Sequence, residues 1–324
     1  FIPVLLGTAL VPVLLWRSDL TELNTVLRSA DPGFLAVACA MQLVTLGLLT
    51  AQWTGLLRMV SDEPVSYRRI LLMNMKGIVT ESLTPGAKVG GESVRLLQFR
   101  HLLGGSAARA GSVIFMQKTI SLSAFAVLCL ISLQRLAGTL PGDSLAGGTP
   151  YGLAFAGLVM MVLLLFAVVV RSNQMVELLG RLPLSARSIA LLNGAAIRFQ
   201  QTGSRLGTDR RRLAAQWLLS LLIWGLYPLK SQLILWALGI TLPFGVVAAM
   251  TYLTYMISMI PLTPGGLGTF EGSMVTLLLA AGVLMHSAVT AAVLIRFVTF
   301  WFAFVFSMLV LGLSQMDQRV RQAA

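Results

Sequence analysis

Five apolar runs, at residues 34–57, 111–134, 151–170, 214–238 and 287–313, constrain the fold more than any other feature of the 324-residue chain. A helix rising about 1.5 Å per residue needs roughly 20 apolar residues to cross ~30 Å of hydrocarbon, and each run meets that length. Inside hydrocarbon every backbone N–H and C=O must be satisfied within the chain, which makes such runs helices. The composition agrees: 56% of residues are hydrophobic and 11% charged, and mean hydropathy is positive, outside the range of ordinary soluble domains. A shorter run at 2–16 supplies a sixth span. No small-residue cleavage site follows it, so it does not read as a signal peptide. Because the numbering opens on Phe1 rather than Met, that run is expected to begin earlier in a longer chain.

Charge sets the topology. Residues 171–212 carry eight Arg against Glu177 and Asp209, a net +6 and half of the chain's +12. Among apolar spans this excess marks a cytoplasmic loop rather than a nucleic-acid surface. Within it, SARSIALLNGAAIRFQQTGSRL reads as an amphipathic helix lying at the anionic inner leaflet. With that loop inside, 135–150 lies outside. Residues 95–109, with Arg95, Arg100 and Arg109, and 58–69, with Arg58, Arg68 and Arg69 against Asp62 and Glu63, lie inside, as does the basic C-terminus RVRQAA. The expected location is a bacterial cytoplasmic (inner) membrane, crossed several times.

Both flanks of segment 70–94 then sit on one side, and its apolar stretch ILLMNMKGIV is too short to span. Segment 244–285 starts and finishes on the other side. Each is read as a re-entrant helical hairpin, and each carries the same phrase at its tip. SLTPGAKVGGE at 82–92 returns as PLTPGGLGTFE at 261–271, with Leu, Thr, Pro, Gly and Glu displaced by 179 residues. That shift also maps one span–hairpin–span unit, about 34–135, onto a second, about 214–313, running the opposite way. The expected fold is therefore an all-α polytopic membrane protein of six spans and two hairpins in an inverted repeat, one transmembrane domain over 1–324 with the basic linker 171–212 between its halves. Interrupted helices at corresponding places in inverted repeats point to a transporter with its site near the midplane. The plainer alternative is a tight turn that packs two hairpins together.

A Pro-Gly break at membrane depth survives only beside protein or a water-filled cavity. In each phrase Thr84 or Thr263 is expected to cap a helix, with Pro85 or Pro264 at its first position and Gly86, Gly265 and Gly266 letting the backbone turn. Free N–H groups at such a helix start suit an anion such as phosphate. Charged residues at depth are functional candidates, since each costs roughly 2.5–3.5 kcal/mol at a helix centre. Lys230, Arg296 and Lys118 interrupt three spans, and Glu92, Arg95 and Glu271 flank the tips; Lys76, Glu81 and Lys88 are secondary candidates. Together they would form a mixed-charge chamber in which cations meet a substrate's phosphate while carboxylates hold them or compete for them. The structural alternatives are snorkelling for Lys230 and ordinary interfacial placement for Lys88 and Arg95.

Other chemistries find no support. There is no GxxxxGK[ST] loop, HExxH pair or nucleophile elbow, and the six Asp form no Asp-x-Asp pair. Cys39 and Cys129 lie in apolar runs as structural thiols, and His101 and His286 add no metal-ligand spacing. No cofactor, metal or catalytic residue is expected, and no small-residue stripe argues for a dimer.

PLTPGGLGTFEGSMVTLLLAAGV, with LIRFVTFWFAF after it, and ESLTPGAKVGGESVRLLQFRHLLGG resemble the two signatures of the lysylphosphatidylglycerol synthase transmembrane-region family, the flippase-like domain. By position Pro264, Gly265, Gly266, Gly268, Glu271 and Arg296 match the later signature, and Pro85, Gly86, Gly91, Glu92 and Arg95 the earlier. Gln117-Lys118 departs from a Glu-Arg pair: the cation survives and the acid does not. The resemblance implies translocation of phospholipid, aminoacyl-phospholipid or polyprenyl-phosphate between leaflets by a stand-alone member, without the soluble synthase domain and hence without lysyl-phosphatidylglycerol synthesis. Anionic-headgroup lipids are the expected partners, with a separate lipid-modifying synthase as a further one. Two rival readings are a membrane-embedded enzyme acting on a lipid phosphate or polyprenyl-linked sugar, with Glu92 or Glu271 as base, and a partner subunit that recruits a synthase through 171–212.

Overall fold

The computed structural model describes residues 25, 28–84, 89–137, 186–259 and 266–323, and every long regular element among them is helical. In chain order they are α1 (Pro32–Val60), α2 (Tyr67–Leu83), α3 (Val89–Leu102), α4 (Ala107–Ala137), α5 (Ala186–Thr208), α6 (Arg210–Ala237), α7 (Phe244–Ser258), α8 (Thr269–Ala280), α9 (Met285–Arg296), a π-turn (Phe297–Trp301) and α10 (Phe302–Ala323). The expected spans at 2–16 and 151–170, the loop beyond Ala137, and Pro85, Gly86, Lys88, Thr263, Pro264 and Gly265 lie outside the described residues.

Among the described residues, four helices are long and apolar enough to cross a membrane: α1, α4 as far as Gln134, α6, and the stretch from α9 through the π-turn to Met316. They fall on four of the apolar runs, and the chain is a multi-pass helical membrane protein. Between them lie pairs of shorter helices where hairpins were expected, α2 with α3 and α7 with α8. α5 occupies the stretch predicted as amphipathic. Asp31 starts α1, its carboxylate accepting the Gly33 N–H at 2.7 Å with Pro32 at the first helical position. Its own N–H donates to the Ala237 carbonyl at the end of α6, 2.9 Å away.

The chain divides into two compact units, one of residues 1–49, 71–94 and 225–324, the other of 50–70 and 95–224. In the first, Ile234 and Leu235 of α6 pack with Val247 and Met250 of α7, Phe270, Met274 and Leu278 of α8, and Val289, Ala292 and Ile295 of α9. In the second, Trp53, Leu56 and Leu57 of α1, Phe99 of α3, Phe125 of α4 and Leu206 of α5 are buried. Ring contacts of Phe99 with Trp53 and of Trp224 with Phe125 join the helices of that unit.

In the first unit α2 and α3 touch backbone to backbone. A β-carbon on Gly91 would lie 2.7 Å from the Gly77 carbonyl oxygen and 2.8 Å from Glu81 Cβ. At Gly111, in α4, the nearest atom to such a carbon is 3.8 Å away. Gly91→Ala is therefore predicted to destabilise by about 1–3 kcal/mol through overpacking, whereas Gly111→Ala gains up to ~1 kcal/mol of helix propensity. Thermal unfolding of the purified protein in detergent checks the opposite signs.

Candidate functional site

Buried charge concentrates in the first unit, where α8 and α9 bring Glu271 and Arg296 together. Arg296 Nε lies 3.5 Å from Glu271 Oε1, with both side chains almost wholly buried. Glu271 sits three residues into α8, and its other oxygen accepts the Gly268 N–H at 2.7 Å. One carboxylate thus caps α8 and neutralises the arginine of the next helix. The tip needs its glycines: Gly266 and Gly268 have φ of +71° and +80°, a region costly for other residues. A β-carbon on Gly266 would also press against Ser258.

Arg296 is sandwiched between aromatic faces, 4.9 Å from the Phe270 centroid and 4.2 Å from that of Phe300. Such stacking compensates a guanidinium taken out of water. Directly after Arg296 the helix widens into the π-turn that carries Phe300, an irregularity frequent at functional sites. Tyr255 packs edge-on against Phe270, 5.2 Å between centroids, and against Tyr227, 4.8 Å away.

Beyond Tyr227 lies Lys230, fully buried in α6. Its ammonium donates to Gln42 Oε1 and to Thr45 Oγ1, 3.1 Å away, and stands 4.1 Å over the Tyr227 ring. All of these partners are neutral. Gln42 in turn donates to the Thr299 carbonyl in the π-turn, 3.3 Å away. Pro228, two residues before Lys230, removes one helical hydrogen bond from the same stretch of α6. The result is a continuous polar and aromatic seam from Lys230 to Arg296. Glu81, half-buried near the end of α2, lies within electrostatic reach of both Tyr227 and Arg296.

The structure thus gathers three sequence candidates, Lys230, Glu271 and Arg296, into one cluster with the secondary candidate Glu81. Glu92 lies half-buried in the first turn of α3, where a carboxylate complements the helix dipole. Lys76 is exposed on α2. Arg95 and Lys118 belong to the second unit, Arg95 buried with its guanidinium 5.8 Å over Trp53 and Lys118 half-buried on α4.

At the end of α2 the Thr84 hydroxyl donates back to the Thr80 carbonyl at 2.8 Å, closing the last turn, the back-bonding that a helical Thr readily makes; the positions just after it, where the expected cap would act, lie outside the described residues. α8 begins at Thr269 with Gly268 as its N-cap. The start of α8 is engaged by its own Glu271.

Sequence reading passed over Gln42, Thr45, Tyr227, Tyr255 and Thr299. A signal existed for the first pair, two polar residues three apart on one face of an apolar run. It also passed over a neutral network in the second unit. Gln117 donates to Gln52 Oε1 at 3.0 Å, and Gln52 donates to Ser220 Oγ and to the Gln216 carbonyl. At the 179-residue offset Gln117 corresponds to Arg296, so the acid missing beside Lys118 is replaced by an amide that donates to the Gln52 amide.

A helical membrane protein with a buried Glu–Arg pair beside a widened helix is the class that fold and site define. The family model described as "Lysylphosphatidylglycerol synthase TM region" matches residues 2–307, and the chain belongs to that family, which ties it to lipid metabolism. Among similar proteins is a UPF0104 membrane protein of Pyrococcus horikoshii, 25% identical over 317 residues covering 93% of this chain and 93% of that one. Another is a UPF0104 membrane protein of Methanothermobacter thermautotrophicus, 27% identical over 297 residues, 86% of this chain and 85% of its own.

Removing one partner of a buried ion pair costs about 3–5 kcal/mol, because the other charge is left without compensation. Glu271→Gln and Arg296→Gln are each predicted to lower stability on that scale. The double variant should lose less than the sum, with a coupling of roughly 1–3 kcal/mol, read from thermal or denaturant unfolding.

Proposed function

We propose that the chain is a lipid translocator that moves a phosphate-bearing lipid between the leaflets of a cytoplasmic membrane, with the headgroup in the seam between Lys230 and Arg296 and the acyl chains left in the bilayer. The observation that carries this reading is Lys230: a fully buried ammonium whose partners are an amide, a hydroxyl and a ring. Burying a cation costs several kcal/mol unless an anion accompanies it. A lipid phosphate is the anion that family membership makes most apt, and Arg296, one aromatic seam away, supplies a planar donor set for its oxygens.

Glu271 then acts as the resident anion. With no headgroup present it satisfies Arg296 and caps α8. An arriving phosphate competes for Arg296 and releases the carboxylate, which loosens the cap and lets the tip of the α7–α8 hairpin move. Departure of the lipid restores the pair. Glu92 and the tip residues Thr84, Pro85, Gly86, Thr263, Pro264, Gly265 and Gly266 complete the proposed headgroup path, with Lys76, Glu81 and Lys88 at its margin; Arg95 and Lys118 are candidates for headgroup contact within the other unit. In this reading the spans and hairpins form an inverted repeat of halves near 34–135 and 214–313, joined through a cytoplasmic linker at 171–212. The repeated LTPG phrase and the correspondence of 117 with 296 support it.

Leaflet exchange of a fluorescent anionic phospholipid in proteoliposomes tests the assignment. Lys230→Met and Arg296→Gln are each expected to slow exchange about tenfold or more, the equivalent of at least ~1.4 kcal/mol in the barrier, while eluting as folded protein. Exchange at the unmodified rate in both variants would remove the site. Chemical change of the lipid in the same vesicles, seen by mass spectrometry, would instead establish an enzyme.

A further inference from the structure

A second polar site lies wholly within the other unit, and no part of the translocation reading uses it. α5 is seated on α4 by its buried Thr202 and Leu206. The Phe199 ring meets Phe115 at 5.8 Å, and Ser112 Oγ donates to the Phe199 carbonyl at 3.0 Å. Beside this seam a groove of about 940 Å³ opens, bounded by α5, the residue Asp62 just past α1 and the start of α4. Three arginines line it, Arg109, Arg198 and Arg205, against the single carboxylate of Asp62, a net charge of +2.

The arginines differ in how they are held. Arg109 is fixed, its guanidinium donating to the Val60 carbonyl at 2.6 Å and to Asp62 at 3.3 Å. Arg198 and Arg205 are exposed and stand seven residues apart, two turns along one face of α5. Among the described residues neither guanidinium makes a hydrogen bond or ion pair, so both have their donors available. Ser106, which caps α4 by accepting the Arg109 N–H at 3.3 Å, and Ser204 add hydroxyls to the lining. This is a donor-rich, cationic cleft beside a helix start, the chemistry of a phosphoryl site.

Position and lining select the source of the phosphate. The groove lies where α1 ends and α4 begins, the level at which spans leave hydrocarbon and lipid phosphates reside. Ile197, 56% exposed, lines it next to Arg198, an apolar flank that a lipid would cover and a soluble ion would not. We propose that this groove binds the phosphate of an anionic membrane lipid, holding α5 to the bilayer and giving the protein a lipid-occupied site separate from the buried seam.

Native mass spectrometry of the full chain, released from micelles doped with phosphatidylglycerol or phosphatidylcholine, tests the proposal without any transport measurement. Phosphatidylglycerol is expected to be retained in preference. The exposed pair change Arg198→Gln with Arg205→Gln should weaken that retention about tenfold, and Arg198→Lys with Arg205→Lys should restore part of it. Arg210→Gln with Arg211→Gln removes the same charge from exposed positions outside the groove and should leave retention within about twofold. Equal retention of the two lipids, equal loss in both Gln pairs, or no loss in the groove pair would overturn the assignment. Displacement of the lipid by millimolar inorganic phosphate would overturn its membrane source.

Discussion

The first unit is organised around one requirement: a guanidinium placed among apolar helices must be met by a charge that is also well held. Glu271 meets it because both of its oxygens are engaged, one with Arg296 and one with the Gly268 amide. The start of α8, the glycine conformations at 266 and 268, and the aromatic faces of Phe270 and Phe300 all follow from that placement. A buried pair of this kind adds little net stability. Its value here is that it can be exchanged, since an incoming anion presents Arg296 with what Glu271 already supplies.

Lys230 extends the same logic with the opposite balance. Its ammonium is buried more completely than either member of the pair, yet the groups around it offer dipoles and a ring face rather than a negative charge. Among its described residues the unit therefore contains one buried cation already matched and one held by neutral groups, joined by Tyr227, Tyr255 and Phe270 and by the Gln42 bridge to the π-turn. Such dipoles hold the ammonium without neutralising it, and an anionic ligand would supply the charge they do not.

Much of the fold was legible because hydrocarbon permits so few solutions. Runs of more than twenty apolar residues became α1, α4, α6 and the α9–α10 stretch, and Pro-Gly breaks between shorter apolar segments separated α2 from α3 and α7 from α8. The site was half legible. Glu271, Arg296 and Lys230 stood out as charges where charge is expensive, but their partners did not. Gln42, Thr45 and Tyr227 are ordinary residues whose role arises from which helices meet. Thr84 has two ways to satisfy its hydroxyl, and the bond to the i−4 carbonyl is visible only in the three-dimensional course of α2. Gln117 illustrates the same point, since its Gln52 partner is sixty-five residues away.

The central claim is that the seam between Lys230 and Arg296 receives a lipid phosphate. The most direct measurement is an electron cryomicroscopy structure of the full chain in nanodiscs of anionic phospholipid. The account predicts headgroup density within hydrogen-bonding distance of Lys230 Nζ or the Arg296 guanidinium, with the Glu271 carboxylate displaced from Arg296 where the phosphate is bound. A seam filled only by side chains, with the Glu271–Arg296 pair intact and every ordered lipid confined to the outer surface, would contradict it.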